Sequence, residues 1–173
     1  MSSTPIRPCG PADVPAMFAI INDAARAYEG VIPADCWQEP YMPLAELTGE
    51  IREGVVFWGY ESAGRLVGVM GIQHREDVTL IRHAYVQTAE RGKGIGEKLL
   101  RHLEALTARP ILIGTWRAAA WAIRFYEKNG YTILSRANTE RLLRKYWSIS
   151  DRQLETSVVL ASARWRSSRS TPP

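Results

Sequence analysis

The chain has 173 residues, of which 46% are hydrophobic and 23% are charged, as in an ordinary globular protein with one sizeable core. No run approaches the ~20 apolar residues that a membrane span needs, and the first residues show no apolar signal core, so we expect a cytoplasmic protein with no membrane partner. The net charge is +4, and most of the surplus falls on the last ten residues, so we expect no nucleic-acid partner.

The predicted elements follow from helical periodicity, β-rich runs and Gly or Pro breakers. In chain order they are a strand at 6–9, helices at 13–28 and 43–52, strands at 55–61, 65–73 and 78–86, a helix at 95–109, a strand at 111–116, a helix at 118–129, a strand at 131–134, a helix at 138–147 and a strand at 155–161. This order, β α α β β β α β α β α β, predicts an α/β fold with a mixed sheet and helices on both faces. We expect a single domain over 1–161, followed by a basic, disordered tail over 162–173.

The stretch Arg91-Gly92-Lys93-Gly94-Ile95-Gly96 stands between a predicted strand and a predicted helix. Glycines let the backbone approach a ligand closely, and the free N–H groups of a helix N-terminus attract anions. Two cations add to this attraction. The stretch therefore predicts a phosphate-binding turn, and an irregular turn without a ligand is the weaker interpretation.

Two well-known phosphate-binding turns are excluded. A P-loop needs Lys-Ser or Lys-Thr around its last glycine, whereas Gly96 is followed by Glu97 and Lys98. A dinucleotide fold needs G-x-G-x-x-G and an acid near the end of the next strand, whereas the spacing is one residue short and 111–116 contains no acid.

The stretch 91–96 instead matches the Arg/Gln-x-x-Gly-x-Gly/Ala motif of the GNAT superfamily of acyl-CoA-dependent N-acetyltransferases. About thirty residues later, 122–131 (AIRFYEKNGY) is similar to the family's second motif, Ala-Ile-x-Phe-Tyr-x-x-x-Gly-Phe. The predicted element order from 6 to 161 also resembles a GNAT domain. The resemblance implies the GNAT fold and an enzyme that uses acetyl-CoA as co-substrate and needs no metal.

This resemblance implies a set of acetyl-CoA contacts. The glycines and cations would receive the pyrophosphate, and the backbone of Val86 would pair with the pantetheine arm like an added strand. The cofactor-binding residues expected are Tyr85, Val86, Arg91, Gly92, Lys93, Gly94, Ile95, Gly96, Ala119 and Tyr126. Ala119 departs from the family pattern, because many relatives have Asn there to hold the arm.

The resemblance also implies direct attack of an amine on the thioester carbonyl. Tyr126 matches the family tyrosine that protonates the leaving thiolate; the alternative is a tyrosine that packs in the core. Some relatives use a glutamate on the preceding strand as base, and counting back from Val86 puts Leu80 at that position. Three candidates for the base stay open: His83, Glu29 and ordered water. Side-chain alternation puts His83 on the face opposite to Leu80, which favours a packed or solvent-facing histidine over a base.

The acceptor is predicted only as a primary amine of a small molecule. Acids and aromatic residues crowd the loop 27–41, which fits either a binding surface for a cationic amine or packing onto the core. The basic segment 141–147 fits an acidic acceptor or a solvated helix. Cys9 and Cys36 match no metal or disulfide pattern.

Two other functions stay open. One is a catalytically idle acyl-CoA sensor, and the other is an interaction protein that binds nucleic acid through its tail. The resemblance also makes a homodimer possible, with the final strand as a candidate for pairing across the interface.

Overall fold

The computed structural model describes residues 5–169, which form a mixed α/β fold with seven strands and seven α-helices. The strands are β1 (Ile6–Pro8), β2 (Val56–Ser62), β3 (Arg65–Arg75), β4 (Val78–Val86), β5 (Ile111–Trp116), β6 (Thr132–Ile133) and β7 (Ser157–Ala161). The helices are α1 (Val14–Ala25), α2 (Leu44–Arg52), α3 (Ile95–Ala105), α4 (Ala120–Lys128), α5 (Arg136–Tyr146), α6 (Asp151–Thr156) and α7 (Ala163–Ser167). Short 3₁₀ turns occur at Pro11–Asp13, Arg26–Tyr28, Ala34–Cys36 and Thr88–Glu90.

The chain divides into two compact units, each drawn from several separated segments. The first unit comprises the described residues up to Ala27 with 38–73 and 81–108, and the second comprises 28–37, 74–80 and the residues from Arg109 onward. Because the segments alternate along the chain, no single linker separates the two units.

The first unit is built on the strands β1, β2, β3 and β4, which lie side by side in that order. β2 pairs antiparallel with both β1 and β3. The apolar face of α1, with Met17, Ile20 and Ile21, packs with Leu47 of α2 and Phe57 of β2 in one buried cluster. The helical spacing of these α1 residues explains why the segment folds as an amphipathic helix.

The second unit is built on β5, β7 and β6, with β7 in the middle and antiparallel to both neighbours. Its core joins Leu112 of β5, Leu142 and Leu143 of α5, Val159 of β7 and Trp165 of α7. One edge of β7 is paired with β5 along its whole length, and the other is paired with β6 at Leu160 and Ala161, which restricts the pairing across a homodimer interface that the sequence suggested.

The predicted order of elements is confirmed from β1 to β7, and the structure adds two short helices, α6 and α7. The predicted strand 155–161 therefore begins two residues later, at Ser157, because α6 extends to Thr156. The helix predicted at 138–147 begins earlier: Ser135 is its N-cap, and the Ser135 hydroxyl accepts a hydrogen bond from the N–H of Asn138.

The expectation of a disordered tail from residue 162 was wrong for 162–169. These residues include α7, whose Trp165 is only 7% exposed and packs in the core of the second unit. Burial of the Trp165 side chain stabilises this segment, although its basic composition predicts disorder. Residues 170–173 of the predicted tail lie outside the described residues. Within 5–169, no helix is long and apolar enough to cross a membrane.

Candidate active site

The glycine-rich stretch forms a left-handed turn that opens α3. Gly92 and Gly94 have φ angles of 77° and 75°, a region that residues with a side chain rarely adopt. Gly94 is the N-cap of α3, and its carbonyl accepts the first helical hydrogen bond, from the N–H of Lys98 at 3.1 Å. The N–H groups of the first turn, which include those of Ile95 and Gly96, have no partner inside the helix. This geometry is suited to an anion.

The body of α3 is held close to β3. A Cβ atom added at Gly68 would lie 2.9 Å from Cγ2 of Ile95, so the missing side chain lets the helix approach the strand. Ile95 is buried by this contact. It can therefore offer a ligand its backbone N–H, whereas its side chain serves the packing.

The turn before the glycines is anchored to the end of α1. A carboxylate oxygen of Asp23 accepts a hydrogen bond of 2.7 Å from the N–H of Thr88. The Arg91 guanidinium donates to the carbonyl of Ala24 at 3.0 Å, and the N–H of Gln87 donates to the carbonyl of Val67 at 2.8 Å. Sequence reasoning missed Asp23, because nothing local marks an acid in the last turn of a helix as a partner for a loop 65 residues away.

Both cations of the turn already have protein partners. Lys93 forms an ion pair of 2.7 Å with Glu90, and Arg91 holds the carbonyl at the end of α1. Exposed ion pairs of this kind contribute little free energy, so Lys93 can exchange Glu90 for a phosphate at small cost.

The end of β4 contains a backbone irregularity. His83 has a φ angle of 53°, in the left-handed region, although it lies inside a strand. The position of Leu80 relative to Val86 was inferred from regular side-chain alternation along the strand, and this alternation is interrupted at His83. Tyr85 packs against the core of the first unit, and both Tyr85 and Val86 are half-buried. Leu80 is fully buried, in the core of the second unit.

His83 faces Glu50 of α2. Its Nε2 lies 3.6 Å from a carboxylate oxygen of Glu50, and the guanidinium of Arg82 contacts the same carboxylate at 2.7 Å. Burial lowers the pKa of His83, and the Glu50 carboxylate acts in the opposite direction. Burial alone would raise the pKa of Glu50, but the His83 ring and the charge of Arg82 outweigh it and hold that pKa below its usual range.

Tyr126 lies on the inner face of α4. It is 7% exposed, and its ring packs edge-on against Phe125 and Tyr131. Burial first, and then the nearby Tyr28, raise the pKa of its hydroxyl above the usual value. The phenol is therefore neutral at physiological pH and can donate a proton. Ala119 is fully buried and is the N-cap of the same helix, without a side-chain cap.

The loop after α1 carries the other candidate base. Glu29 is exposed, next to Tyr28, whose ring stacks on Trp121 of α4 with centroids 5.8 Å apart. Farther along the loop, Asp35 forms an ion pair of 2.8 Å with Arg152 of α6. Trp121 is 37% exposed and was not singled out in the sequence, where it is one apolar residue of an amphipathic helix.

The predicted residues divide between the two units. Residues 83–96, with His83, Tyr85, Val86 and the glycine turn, belong to the first unit, whereas Glu29, Ala119 and Tyr126 belong to the second. In the described part of the chain, no group of three or more His, Cys, Asp or Glu side chains is placed to hold a metal ion.

Comparisons with known proteins agree with these features. Residues 53–133, which include the glycine turn and α4, match the family model described as acetyltransferase (GNAT) domain. No curated protein sequence matches the chain.

Solved structures show a shared fold. The PaiA N-acetyltransferase of Thermoplasma acidophilum, in complex with coenzyme A, is 16% identical with a TM-score of 0.69, and the match covers 91% of this chain and 96% of that one. A GNAT-family acetyltransferase of Staphylococcus aureus is 16% identical with a TM-score of 0.68, over 91% and 96% of the two chains. The ribosomal-protein-alanine N-acetyltransferase of Brucella melitensis is 22% identical with a TM-score of 0.62, over 91% and 98%.

Proposed function

Because residues 53–133 match the family model of the GNAT acetyltransferase domain, we propose that the chain moves the acetyl group of acetyl-CoA directly to a primary amine of a small molecule. The donor follows from the family, and coenzyme A is present in the related structure from Thermoplasma acidophilum. The acceptor class and the roles of the individual site residues are argued from the geometry below.

One observation carries the proposal: the left-handed glycine turn at the N-terminus of α3. A Cβ atom added at Gly92 or Gly94 would meet nothing within 4 Å, so packing does not explain these glycines. Their φ angles of 77° and 75° lie in the left-handed region, which is typical of turns whose successive N–H groups bind an anion. The pyrophosphate of acetyl-CoA is the anion that would accept these hydrogen bonds, helped by the helix dipole and by Lys93.

The proposed reaction needs three groups. The amine loses a proton, and its lone pair then forms a C–N bond to the thioester carbonyl carbon. The backbone N–H of Val86 would stabilise the negative charge that develops on the carbonyl oxygen. The C–S bond breaks, the thiolate leaves with the electron pair, and the neutral hydroxyl of Tyr126 would give it a proton. The proton that the nitrogen loses as the amide forms would restore the Tyr126 hydroxyl.

A base must act because an alkylammonium group, with a pKa of ~10, is mostly protonated at neutral pH. His83, Glu29 and ordered water are the candidates. Glu29 is exposed on a turn, whereas His83 is enclosed beside a carboxylate, as a tuned base often is.

The small-molecule acceptor is supported by the loop after α1. Asp35 is engaged by Arg152, and the exposed carboxylate of Glu29 next to the Tyr28–Trp121 stack suits a cationic amine. A peptide N-terminus is the second candidate, because the related Brucella melitensis protein is a ribosomal-protein-alanine N-acetyltransferase. The proposed assembly is a homodimer, which is common in this family. Light scattering measures the molar mass in solution and so tests it.

The test is a screen of acceptors with acetyl-CoA, in which release of the free thiol is followed. Polyamines, amino acids and other small amines form one group, and short peptides with a free N-terminus form the other. Turnover that is highest with a small amine supports the proposal, and turnover confined to peptides replaces the acceptor class. Clear binding of acetyl-CoA without turnover of any amine would show an idle acyl-CoA sensor instead.

A further inference from the structure

The feature that the proposed reaction leaves unexplained is the left-handed backbone of His83 in the middle of β4. In a regular strand, neighbouring side chains point to opposite faces. Here the φ angle of 53° interrupts that alternation, and the consecutive side chains of Arg82 and His83 both contact Glu50. A residue with a side chain is strained in this region, and such residues cluster at functional sites.

The contacts around Glu50 are specific. Arg82 reaches it with both ends of its guanidinium, Nη2 to Oε1 at 3.0 Å and Nη1 to Oε2 at 2.7 Å. Arg82 also donates to the side-chain carbonyl of Gln73 at 3.1 Å, whose amide donates to the carbonyl of Glu53 at 3.0 Å. Arg82 thereby holds the carboxylate in place, and Oε2 lies 3.6 Å from Nε2 of His83, at which distance these two enclosed atoms form no hydrogen bond with each other.

The His83 ring is equally confined. The side chains of His83 and Glu50 are each 15% exposed, and the ring of Phe57 stacks on the imidazole at an angle of 27°, with the ring centroids 5.8 Å apart. Nε2 is the enclosed ring nitrogen that faces Glu50. When Nε2 carries the proton of the neutral ring, Nδ1 holds the lone pair that can accept another.

The charged groups near His83 come from two elements. α2 supplies Glu50, with Glu46 one turn earlier, and β4 supplies Arg82. Burial, followed by the charge of Glu50, raises the pKa of Glu46. Among these groups, the structure places Glu50 in direct contact with the imidazole.

We propose that Glu50 is a positioning residue that orients the His83 ring and stabilises its protonated form, so that His83 takes the proton from the acceptor amine. This inference rests on the proposed acetyltransferase function and selects His83 among the candidate bases. His83 is neutral before the reaction, the amine proton moves to Nδ1, and the carboxylate of Glu50, which also pairs with Arg82, offsets part of the cost of the imidazolium charge. His83 precedes Val86 by three residues, ~10 Å along a strand, so one or two water molecules would relay the proton.

The test compares three substitutions in α2. Glu50→Gln should lower kcat/KM about 10- to 100-fold at neutral pH, within the range that a positioned general base contributes. Because the carboxylate favours protonated His83, its removal should also move the acidic limb of the pH–rate profile to lower pH. Glu50→Asp should recover part of the activity, and Glu46→Gln, the matched control in the same helix, should change neither rate nor limb.

A double variant and a titration make the test independent of folding effects. If Glu50 acts through His83, adding Glu50→Gln to His83→Asn should lower the rate no further. Asn is chosen because it tolerates the left-handed region. Nuclear magnetic resonance follows the His83 ring directly, and the signal that His83→Asn removes identifies it among the three histidines. Its pKa should fall in Glu50→Gln and stay unchanged in Glu46→Gln.

The outcomes separate the two proposals. Suppose that the wild type acetylates an amine, but Glu50→Gln changes neither the acidic limb of the pH–rate profile nor the pKa of His83. This result would overturn the role of Glu50 and leave the proposed acetyltransferase function standing. The role of Glu50 is also overturned if the rate losses of Glu50→Gln and His83→Asn add up in the double variant. A wild type that turns over no amine overturns the proposed function, and the role of His83 as base falls with it.

Discussion

The backbone of Gly94 gives the sharpest prediction about the phosphate-binding turn. Gly94 has a φ angle of 75°, and a Cβ atom there would meet nothing within 4 Å. Gly94→Ala therefore introduces no clash, and its effect comes from the backbone alone. A left-handed residue with a side chain costs about 1–2 kcal/mol, which in a chain of this size lowers Tm by roughly 2–8 °C.

The same substitution should weaken acetyl-CoA binding. If the turn relaxes toward negative φ, the first N–H groups of α3 no longer point together at one anion. Each hydrogen bond to a charged group contributes about 1.5–3 kcal/mol, so loss of one raises Kd roughly 10- to 150-fold. Calorimetric titration with acetyl-CoA measures Kd, and thermal unfolding measures Tm.

Two other glycines serve as matched controls. Gly130 has a φ angle of 92° and open space around it, so Gly130→Ala should lower Tm by a similar amount and leave Kd unchanged. Gly49 lies inside α2, also in open space, so Gly49→Ala should stabilise the chain by about 0.5–1 kcal/mol. Equal Kd values in Gly94→Ala and Gly130→Ala would refute the role assigned to the glycine turn.

Three further substitutions test other parts of the account. Tyr126→Phe should lower kcat about 100-fold or more with little change in the Kd of acetyl-CoA, as expected for loss of a general acid, whereas Tyr146→Phe, which loses a hydrogen bond to Asp77, should affect stability and not turnover. Because burial raises the pKa of Tyr126, deprotonation of this hydroxyl should not produce a basic limb below pH ~10 in the pH–rate profile. The Arg7 side chain, followed by the N–H of Gly10, lowers the pKa of Asp13 from 3.8 to about 2. This carboxylate should therefore stabilise the fold above pH ~4, and the stabilisation should be lost as the pH falls toward 2. The stability of Asp13→Asn should lack this pH-dependent loss in acid unfolding experiments. Trp165→Ala should cost about 3–5 kcal/mol, seen as a fall in Tm of roughly 6–20 °C, and an unchanged Tm would contradict its place in the core.

The parts of the structure that the sequence predicted are those with local causes. The glycine turn was predicted from closely spaced glycines between a strand and an amphipathic helix, and two of them, Gly92 and Gly94, have the left-handed φ angles that glycine tolerates. The helix α6 was missed because it has only six residues, although Ser150 and Gln153 form a capping box that marks its start.

The Glu50–Arg82–His83 cluster could not be predicted from the sequence. It joins residues 32 positions apart, and it depends on a left-handed φ angle at His83 that the residue type does not predict. The count back along β4 from Val86 assumes regular side-chain alternation, which is interrupted at His83. The anchor between Asp23 and Thr88 was hidden for a similar reason, since a contact over 65 positions arises only from the fold.

The most direct measurement of the central claim is the fate of a labelled acetyl group. The protein is incubated with acetyl-CoA labelled in the acetyl carbon and with the best amine from the acceptor screen, and the products are identified by mass spectrometry. We expect label on the amine nitrogen, one free thiol for each acetylated amine, and no label on the protein. Labelled acetyl-CoA that binds and is recovered unchanged with every amine would contradict this expectation.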